Sequence, residues 1–250
     1  MTPTTSDLRV DISPFLTTFQ VDPQRGFLPA SDPMTELGEG FEAWESLAKS
    51  LPELLKEGSV GEAVGSLPEF PISKLKEDQC ELAFLLLCFI SHAYLHGTEP
   101  YLTTLPSVLA KPLVSVGARL GRPPVLSHAS LILYNWQRIE NDGPLTVENL
   151  RPIYSFTGTA DEGWFYHLTT GIEAIGGGII HEVGMLLRAA KENQEELVEE
   201  CLTTIAQRIP LLTAEIQRME SGCNPHLFYH EIRPFLDSFV DLTYEGIPDR

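Results

Sequence analysis

The longest apolar run in the chain, LAFLLLCFI at residues 82–90, is the feature that most limits what the chain can fold into. It lies in a segment of helical character that extends from residue 74 to His96 and ends where Gly97 follows. A helix whose apolar residues cover all of its sides has to be surrounded by other protein or by lipid. Because a bilayer requires about 20 apolar residues, this run is too short to span a membrane. We therefore predict a buried helix.

Strand signals are nearly absent from the rest of the chain, which has neither alternating apolar and polar runs nor Asn-Gly hairpin turns. Apolar residues instead recur at helical spacing. A last helix is predicted to begin near Asn224, which can cap it, with Pro225 in the first helical position. The sequence thus predicts an all-α fold, with further helices at 41–58, 125–139, 161–188 and 194–219.

Prolines indicate how the chain is divided. Five of them lie in residues 97–124, and prolines interrupt helices and favour connecting segments. We place a proline-rich linker at 107–124, between a small N-terminal helical domain, 1–106, and a larger helical domain, 125–250. The first domain is expected to begin with an irregular arm, because residues 1–38 are rich in Pro, Thr and Asp and show little periodicity.

The composition restricts the partners and the compartment. Only 17 Lys and Arg stand against 35 Asp and Glu, which gives a formal net charge of −18. Such a surface repels phosphate groups, so neither nucleic acid nor a membrane surface is an expected partner. The first residues contain no secretory signal, and the four scattered cysteines form no CxxC pair. A cytoplasmic protein with free thiols is therefore expected.

Two sets of side chains have a spacing that permits metal binding. Cys88, His92 and His96 are four residues apart and share one helical face, and His226 and His230 repeat the spacing. No acidic residue completes the first set at the spacing of a metal motif. We therefore prefer a structural interpretation: core packing for the first set, and capping or solvated histidines for the second.

A run of three glycines, Gly176 to Gly178, lies inside the helix predicted at 161–188, although each interior glycine costs a helix about 1 kcal/mol relative to alanine. Two explanations are equally compatible with this run. The glycines kink the helix or permit a tight helix crossing, or they let a flat ligand approach the backbone closely.

Arg233 lies in the aromatic stretch NPHLFYHEIRPFL, residues 224–236. Because a guanidinium keeps its charge, a buried arginine requires an anion. The anion is either the carboxylate of a ligand, held by two parallel hydrogen bonds, or an acidic side chain such as Glu231 or Asp237. From composition alone, an internal ion pair is the more frequent arrangement.

Several motifs occur in a fixed order along the chain and together resemble a known family. They are LPELL at 51–55, AYLHG at 93–97, PPVL at 123–126, NW at 135–136, PLTVEN at 144–149, SF at 155–156, WFY at 164–166, IEA at 172–174, NPHLF at 224–228, RPFL at 233–236 and YEG at 244–246. In these motifs the chain is similar to the indoleamine 2,3-dioxygenases over nearly its whole length.

The resemblance implies an all-helical enzyme of tryptophan catabolism, with a small and a large domain, that binds haem b. It inserts both atoms of O₂ across the indole C2–C3 bond of L-tryptophan or a related indole, which gives N-formylkynurenine in the kynurenine pathway. Haem would supply the oxygen chemistry, and the protein would supply orientation and an apolar pocket. His128 stands where the animal enzymes have a tyrosine, so the exact indole is left open.

The same resemblance implies the site residues, by correspondence with the family's motifs. The substrate-binding residues would be Arg233, Phe228, Phe165, His128 and Thr169. The haem pocket would include Leu131, Ile132, Phe165, Thr169, Gly176 and Gly177.

In the family, the chain continues past the YEG motif to a small-residue loop and a helix that carries the iron-ligating histidine. None of the seven histidines here has a matching context, so the iron ligand is left unassigned. A second chain would have to supply it, or His128, His167 or His181 would have to replace it. We expect a C-terminally shortened member whose exposed apolar faces cause low stability, self-association or binding of a second chain. The alternative is an inactive relative that binds an indole, haem or a partner protein.

Overall fold

The computed structural model describes residues 11–239 and 241–248, and over these residues the chain is mainly helical. The strands are only two residues long: β1 (Thr104–Leu105) pairs in parallel with β4 (Thr243–Tyr244), and β2 (Gln137–Arg138) pairs antiparallel with β3 (Leu150–Arg151). The predicted all-α class is confirmed. The helices are α1 (Ser13–Phe19), α2 (Glu42–Lys49), α3 (Leu51–Glu57), α4 (Val60–Gly65), α5 (Cys80–His96), α6 (Ser107–Leu120), α7 (Ala160–Lys191), α8 (Glu195–Gln217), α9 (Met219–Gly222) and α10 (Pro225–Leu227).

Helix α5 is buried in the protein core, as the apolar run predicts. Every side chain from Leu82 to Ala93 is buried. The stretch Glu77–His96 is long and apolar enough to cross a membrane, but 78% of its most apolar window is buried inside the protein. Helices α2 and α6 and the 3₁₀ turn Arg233–Leu236 pack against α5, so this helix behaves as the core helix of a globular fold.

The proline-rich linker predicted at 107–124 is wrong for most of its length. Residues Ser107–Leu120 form α6, which packs along α5 although Pro112 lies inside the helix. Burial of the apolar face offsets the backbone hydrogen bond that proline cannot donate. The main core contains residues from Leu37 to Tyr166, on both sides of this helix in sequence. The side chains of α6 that are fully buried in this core include Leu109, Ala110, Leu113 and Val116. The division into two domains stays a prediction.

The helix predicted at 125–139 is wrong outside residues 128–133. A π-helical turn, Ala129–Leu133, is followed by strand β2. The carboxamide of Asn135 explains the change, because its oxygen accepts hydrogen bonds from the N–H groups of Ile153 (3.1 Å) and Tyr154 (2.9 Å). Its nitrogen donates to the Tyr154 carbonyl at 3.0 Å. These long-range bonds compete with the helical ladder and hold this segment beside residues 150–154.

Helices α7 and α8 pack side by side over most of their length. The hydroxyl of Thr159 caps α7 by accepting a hydrogen bond from the Glu162 N–H. Helix α7 is continuous through its three glycines, so they do not break it. Of the 23 residues of α8, only Leu197 and Cys201 are buried. One face of the α7–α8 pair is therefore open.

Gly177 provides space for the N-terminal arm. A Cβ atom at this position would lie 2.5 Å from the backbone nitrogen of Gly26 and 2.5 Å from the carbonyl carbon of Arg25. The turn that makes this approach requires glycine as well, because Gly26 has a φ of +64°. The glycine in α7 is thus explained by contact with protein backbone. This contact does not agree with the predicted haem-pocket role of Gly177.

Two alanine substitutions test this packing. Gly177→Ala is expected to lower the free energy of unfolding by about 1–2 kcal/mol, because the added methyl group forces two backbone segments apart. Gly176 faces open space, so Gly176→Ala is expected to raise the free energy of unfolding by up to about 1 kcal/mol through better helix propensity. Urea unfolding of both variants checks the difference, and equal effects would contradict the contact.

Candidate functional site

The turn around Ile132 and the segment around Phe228 both pack against the first half of α7. The Thr170 hydroxyl donates a 3.1 Å hydrogen bond to the Ile132 carbonyl, which holds the π turn Ala129–Leu133 against the helix. On a neighbouring part of α7, the Phe165 ring meets the Phe228 ring at a centroid distance of 4.6 Å and an angle of 45°. The resemblance placed Phe165 and Phe228 in one substrate pocket, and the fold brings their rings into contact.

A second π turn, Phe228–Ile232, carries one side of this aromatic pair. The Asn224 side chain caps the preceding helix α10 by accepting from the His226 N–H at 2.9 Å, as the sequence predicts. The backbone N–H of Asn224 donates to the Asp161 carboxylate at 2.7 Å, which ties the turn to the first residues of α7. Ile232 is 1% exposed and anchors the other end of the turn in the protein.

Glu162 lies one turn before Tyr166 in α7 and holds the start of this helix in place through buried hydrogen bonds. The carboxylate is fully buried and accepts five hydrogen bonds. Three come from the backbone N–H groups of Phe156 (2.7 Å), Thr157 (2.7 Å) and Gly158 (3.0 Å). The hydroxyls of Thr157 (2.7 Å) and Tyr166 (2.8 Å) supply the other two. The arrangement holds in place the start of α7, three residues before Phe165.

Thr169 follows Phe165 by four residues on α7, and both Thr169 and His128 already have protein partners. The Thr169 hydroxyl donates to the carbonyl of Phe165 at 2.7 Å. His128 is exposed, and its Nε2 atom is 2.9 Å from a carboxylate oxygen of Glu173. Glu173 is one turn beyond Thr169 on α7, so the His128–Glu173 pair and Thr169 share one side of the helix. Their roles in substrate binding stay predictions.

Leu131 and Ile132, predicted to line the haem pocket, are 8% and 2% exposed. Both belong to the main hydrophobic core. Phe165 is half-buried against the same core. The haem-pocket roles of Leu131, Ile132 and Gly176 stay predictions.

Arg233 is exposed and has its Cζ atom 5.1 Å from the centroid of the Tyr229 ring. Among the residues that the structure describes, no acidic side chain forms an ion pair with it. The internal pair with Glu231 or Asp237, which the composition favours, is therefore wrong for the described part of the chain. Arg233 follows Phe228 by five residues, about one turn of the wide helix that separates them.

His92, one of the candidate metal ligands, is instead part of the core. Its Nδ1–H group donates to the Phe235 carbonyl at 2.8 Å, and its Nε2 atom accepts from the Leu126 N–H at 3.1 Å. Burial lowers the pKa of His92 to about 3, although the bond to Phe235 opposes the shift. Both ring nitrogens are occupied by protein partners, so His92 holds the segment 225–239 and the start of 126–133 against α5.

The lowered pKa of His92 predicts a loss of stability in acid. Below the ordinary pKa of about 6.5 the unfolded chain binds a proton that the native imidazole refuses, so stability falls as the pH drops from about 6.5 towards 3. The contribution amounts to about 2 kcal/mol between pH 7 and pH 5. A His92→Asn variant lacks this titration. The difference in free energy of unfolding between this variant and the unaltered protein should therefore be about 2 kcal/mol smaller at pH 5 than at pH 7. A difference that does not change with pH would contradict the assignment.

The sequence did not reveal the buried polar residues that hold the loops next to the site in place. Glu162 and Asn135 satisfy backbone groups of neighbouring loops, and Asn149 does the same by bonding the carbonyls of Glu140 and Pro144 at 3.0 Å each. Asn135 and Asn149 are the asparagines of the NW and PLTVEN motifs, so these motifs are structural. Glu162 stands between Asp161 and Gly163 near the start of a predicted helix, so nothing local in the sequence marks it as a buried acceptor.

The comparison with known proteins decides the family. A sequence model described as "Indoleamine 2,3-dioxygenase" matches residues 15–250. The chain belongs to the indoleamine 2,3-dioxygenase family. The earlier resemblance is thereby confirmed, and the helical architecture of the chain agrees with it.

Curated relatives from several organisms carry the same similarity. The chain is 34% identical over 227 residues to "Indoleamine 2,3-dioxygenase acdA" of Aspergillus candidus, a match that covers 88% of this chain and 56% of the relative. It is 32% identical over 247 residues to the "Indoleamine 2,3-dioxygenase" of Saccharomyces cerevisiae, with 94% and 54% covered. It is also 30% identical to the "6-hydroxytryptophan 2,3-dioxygenase fscD" of Fusarium equiseti, with 92% and 58% covered. This member of the indoleamine 2,3-dioxygenase family therefore spans just over half the length of these relatives.

Proposed function

We propose that this chain forms the substrate-side wall of a haem-dependent indoleamine 2,3-dioxygenase. The reaction would insert O₂ across the C2–C3 bond of L-tryptophan or a related indole and give N-formylkynurenine. Family membership supports this proposal. The observation that carries it is the contact between the Phe165 and Phe228 rings, together with the unpaired Arg233, which follows Phe228 by about one turn.

Each of these side chains suits one part of an amino acid with an indole ring. The Phe165 and Phe228 rings offer apolar faces on which a flat indole can pack. Arg233 offers a planar set of N–H donors that matches the two oxygens of a carboxylate. Because Arg233 has no acidic partner among the described residues, its charge is available to a ligand. An orienting charge beside apolar walls is the usual construction of a small-molecule site.

The residues fit haem in part. Phe165 and Thr169 are half-buried and give an apolar and a small polar surface on the accessible side of α7, as a porphyrin face requires. Haem, when bound, would supply the oxygen chemistry. The protein side of the reaction would consist of excluding water with the two phenyl rings and holding the substrate carboxylate through Arg233. The iron ligand stays unassigned: His128 is bonded to Glu173, whereas Nε2 of His167 and Nδ1 of His181 are buried and have no hydrogen-bond partner among the described residues.

Exposed apolar side chains on α7 and α8 support a further part of this proposal, that a second copy of the chain or another polypeptide covers them. Several large ones are more than half exposed, which is unusual for a stable free surface. A sedimentation series over a wide concentration range would detect self-association, and a monomer throughout would contradict it. The residues are Leu187, Leu202, Ile209, Leu211 and Ile216.

We place the protein in the cytosol. All four of its cysteines, Cys80, Cys88, Cys201 and Cys223, are buried and unpaired. Free thiols of this kind persist in a reducing compartment.

Product formation tests the proposed function. The haem-supplied chain is incubated with L-tryptophan, O₂ and a reductant, and N-formylkynurenine is measured by its absorbance and mass. The proposal predicts product that depends on haem and is lost in Phe228→Ala. Haem-bound protein without product would indicate the inactive relative instead, since the substrate wall would then be present without turnover.

A further inference from the structure

A cavity of about 500 Å³ lies between the end of α5, the loop that follows it and the segment before β4. It is separate from the residues of the proposed substrate wall, none of which lines it. Its walls are fixed by backbone bonds: the Leu102 N–H donates to the Leu95 carbonyl at 2.9 Å, and the Thr243 N–H donates to the Thr103 carbonyl at 2.9 Å. A cavity of this volume is in the range that holds one small organic molecule.

His96 is the polar group in this wall whose hydrogen bonds are unexplained. Both of its ring nitrogens are buried, and neither has a hydrogen-bond partner among the described residues. His92, one turn earlier in α5, has both nitrogens bonded, whereas neither nitrogen of His96 is. A buried donor or acceptor left without a partner costs about 1–3 kcal/mol. A second cavity of about 400 Å³ also reaches His96, which places the ring between two open spaces.

Aromatic and apolar side chains surround the imidazole of His96. The Tyr101 ring meets it edge to face at a centroid distance of 4.9 Å, and the Phe239 ring lies nearly parallel to it at 6.0 Å. Leu102 and Leu242 complete the apolar part of the lining. A flat ring with a short side chain would therefore find apolar contacts on several sides and a hydrogen-bonding nitrogen on one.

Asp237 determines which charge the cavity accepts. Its carboxylate lines the same cavity, and it is the only acidic or basic side chain there besides the imidazole, among the residues that the structure describes. Burial lowers the pKa of His96, with the charge of Asp237 opposing the shift, so the ring is neutral at pH 7 and has one acceptor nitrogen. The cavity then carries a net negative charge. An ammonium group is attracted to it, and a carboxylate is repelled.

We propose that this cavity binds a small aromatic amine. Its ring would pack against Tyr101, Phe239 and Leu242, its ammonium group would pair with Asp237, and an N–H of the same group would donate to the free nitrogen of His96. The site is distinct from the Phe165–Phe228 pair and does not depend on the proposed dioxygenase activity.

Binding of 2-phenylethylamine to the full chain tests this proposal, with 3-phenylpropionate as a probe of the same ring and chain length but opposite charge. We expect a Kd of about 1 mM or lower for the amine by calorimetry, and at least about 10-fold weaker binding of the acid. Asp237→Asn should weaken the amine at least about 10-fold. His96→Phe, which keeps a ring but removes both nitrogens, should weaken it at least about 5-fold.

Matched controls separate this site from general attraction to an acidic surface. Asp142 is exposed and lies outside the cavity, so Asp142→Asn should leave the affinity unchanged. Asp237 is exposed as well, so Asp237→Asn keeps the test valid if His96→Phe proves poorly folded. Equal affinity for the amine and the acid, unchanged amine binding in Asp237→Asn, or no measurable binding to the unaltered chain would each overturn the proposal.

Discussion

Replacing Glu162 with Gln is expected to lower the free energy of unfolding by about 3–5 kcal/mol, because the fully buried carboxylate accepts five hydrogen bonds. A glutamine side chain has one oxygen and one NH₂ group. The NH₂ group would face N–H donors of residues 156–158 and leave them without an acceptor. Burial and the neighbouring carboxylate raise the pKa of Tyr166 well above its ordinary value, so its hydroxyl stays protonated and donates to this carboxylate.

Urea unfolding of Glu162→Gln measures this loss directly. Glu196→Gln is the matched control, because Glu196 lies in the first turn of α8 and is exposed. It should change the free energy of unfolding by less than about 0.5 kcal/mol. If both variants were equally stable, the hydrogen-bonded carboxylate would not be what holds the start of α7.

The second large effect concerns the affinity for substrate. Arg233→Ala is expected to weaken L-tryptophan binding by about 100-fold, since it removes the bidentate partner of the substrate carboxylate. Tryptamine has the same indole ring but no carboxylate, so its affinity should change by less than about 3-fold in the same variant. Calorimetry with both ligands therefore separates loss of the charge from loss of the pocket.

Arg233→Lys supplies the control for this prediction. Lysine keeps the positive charge but not the planar donor set, so an intermediate loss of L-tryptophan affinity is expected. Because Arg233 is exposed, neither substitution should lower the stability of the fold by more than about 0.5 kcal/mol. Unchanged L-tryptophan affinity in Arg233→Ala would mean that the arginine serves only its contact with Tyr229.

The long helices were the part of the fold that the sequence could predict. Periodic apolar residues and helix-ending signals placed the ends of α7 and α8 within three residues and those of α5 within six, because these signals are local. Local signals failed where tertiary contacts override them. Proline at 112 indicated a linker, but packing on α5 stabilises a helix there. Asn135 ended a predicted helix through bonds to residues 153 and 154.

The candidate site was predictable only through the resemblance to a family. Phe165 and Phe228 are 63 positions apart, and nothing local in the sequence shows that their rings meet. The contact of His92 with the carbonyl of Phe235 spans a still greater distance in the chain. The glycines of α7 were ambiguous for the same reason, since the arm that Gly177 contacts lies at Arg25 and Gly26.

Haem uptake by the purified chain tests whether α7 and the two π turns form one wall of a haem cleft. The chain is titrated with haem and followed by its Soret absorbance, and L-tryptophan is then added. We expect saturable binding of about one haem per chain and a spectral shift on adding L-tryptophan that is absent in Arg233→Ala. A folded chain that takes up no haem at any concentration would contradict it.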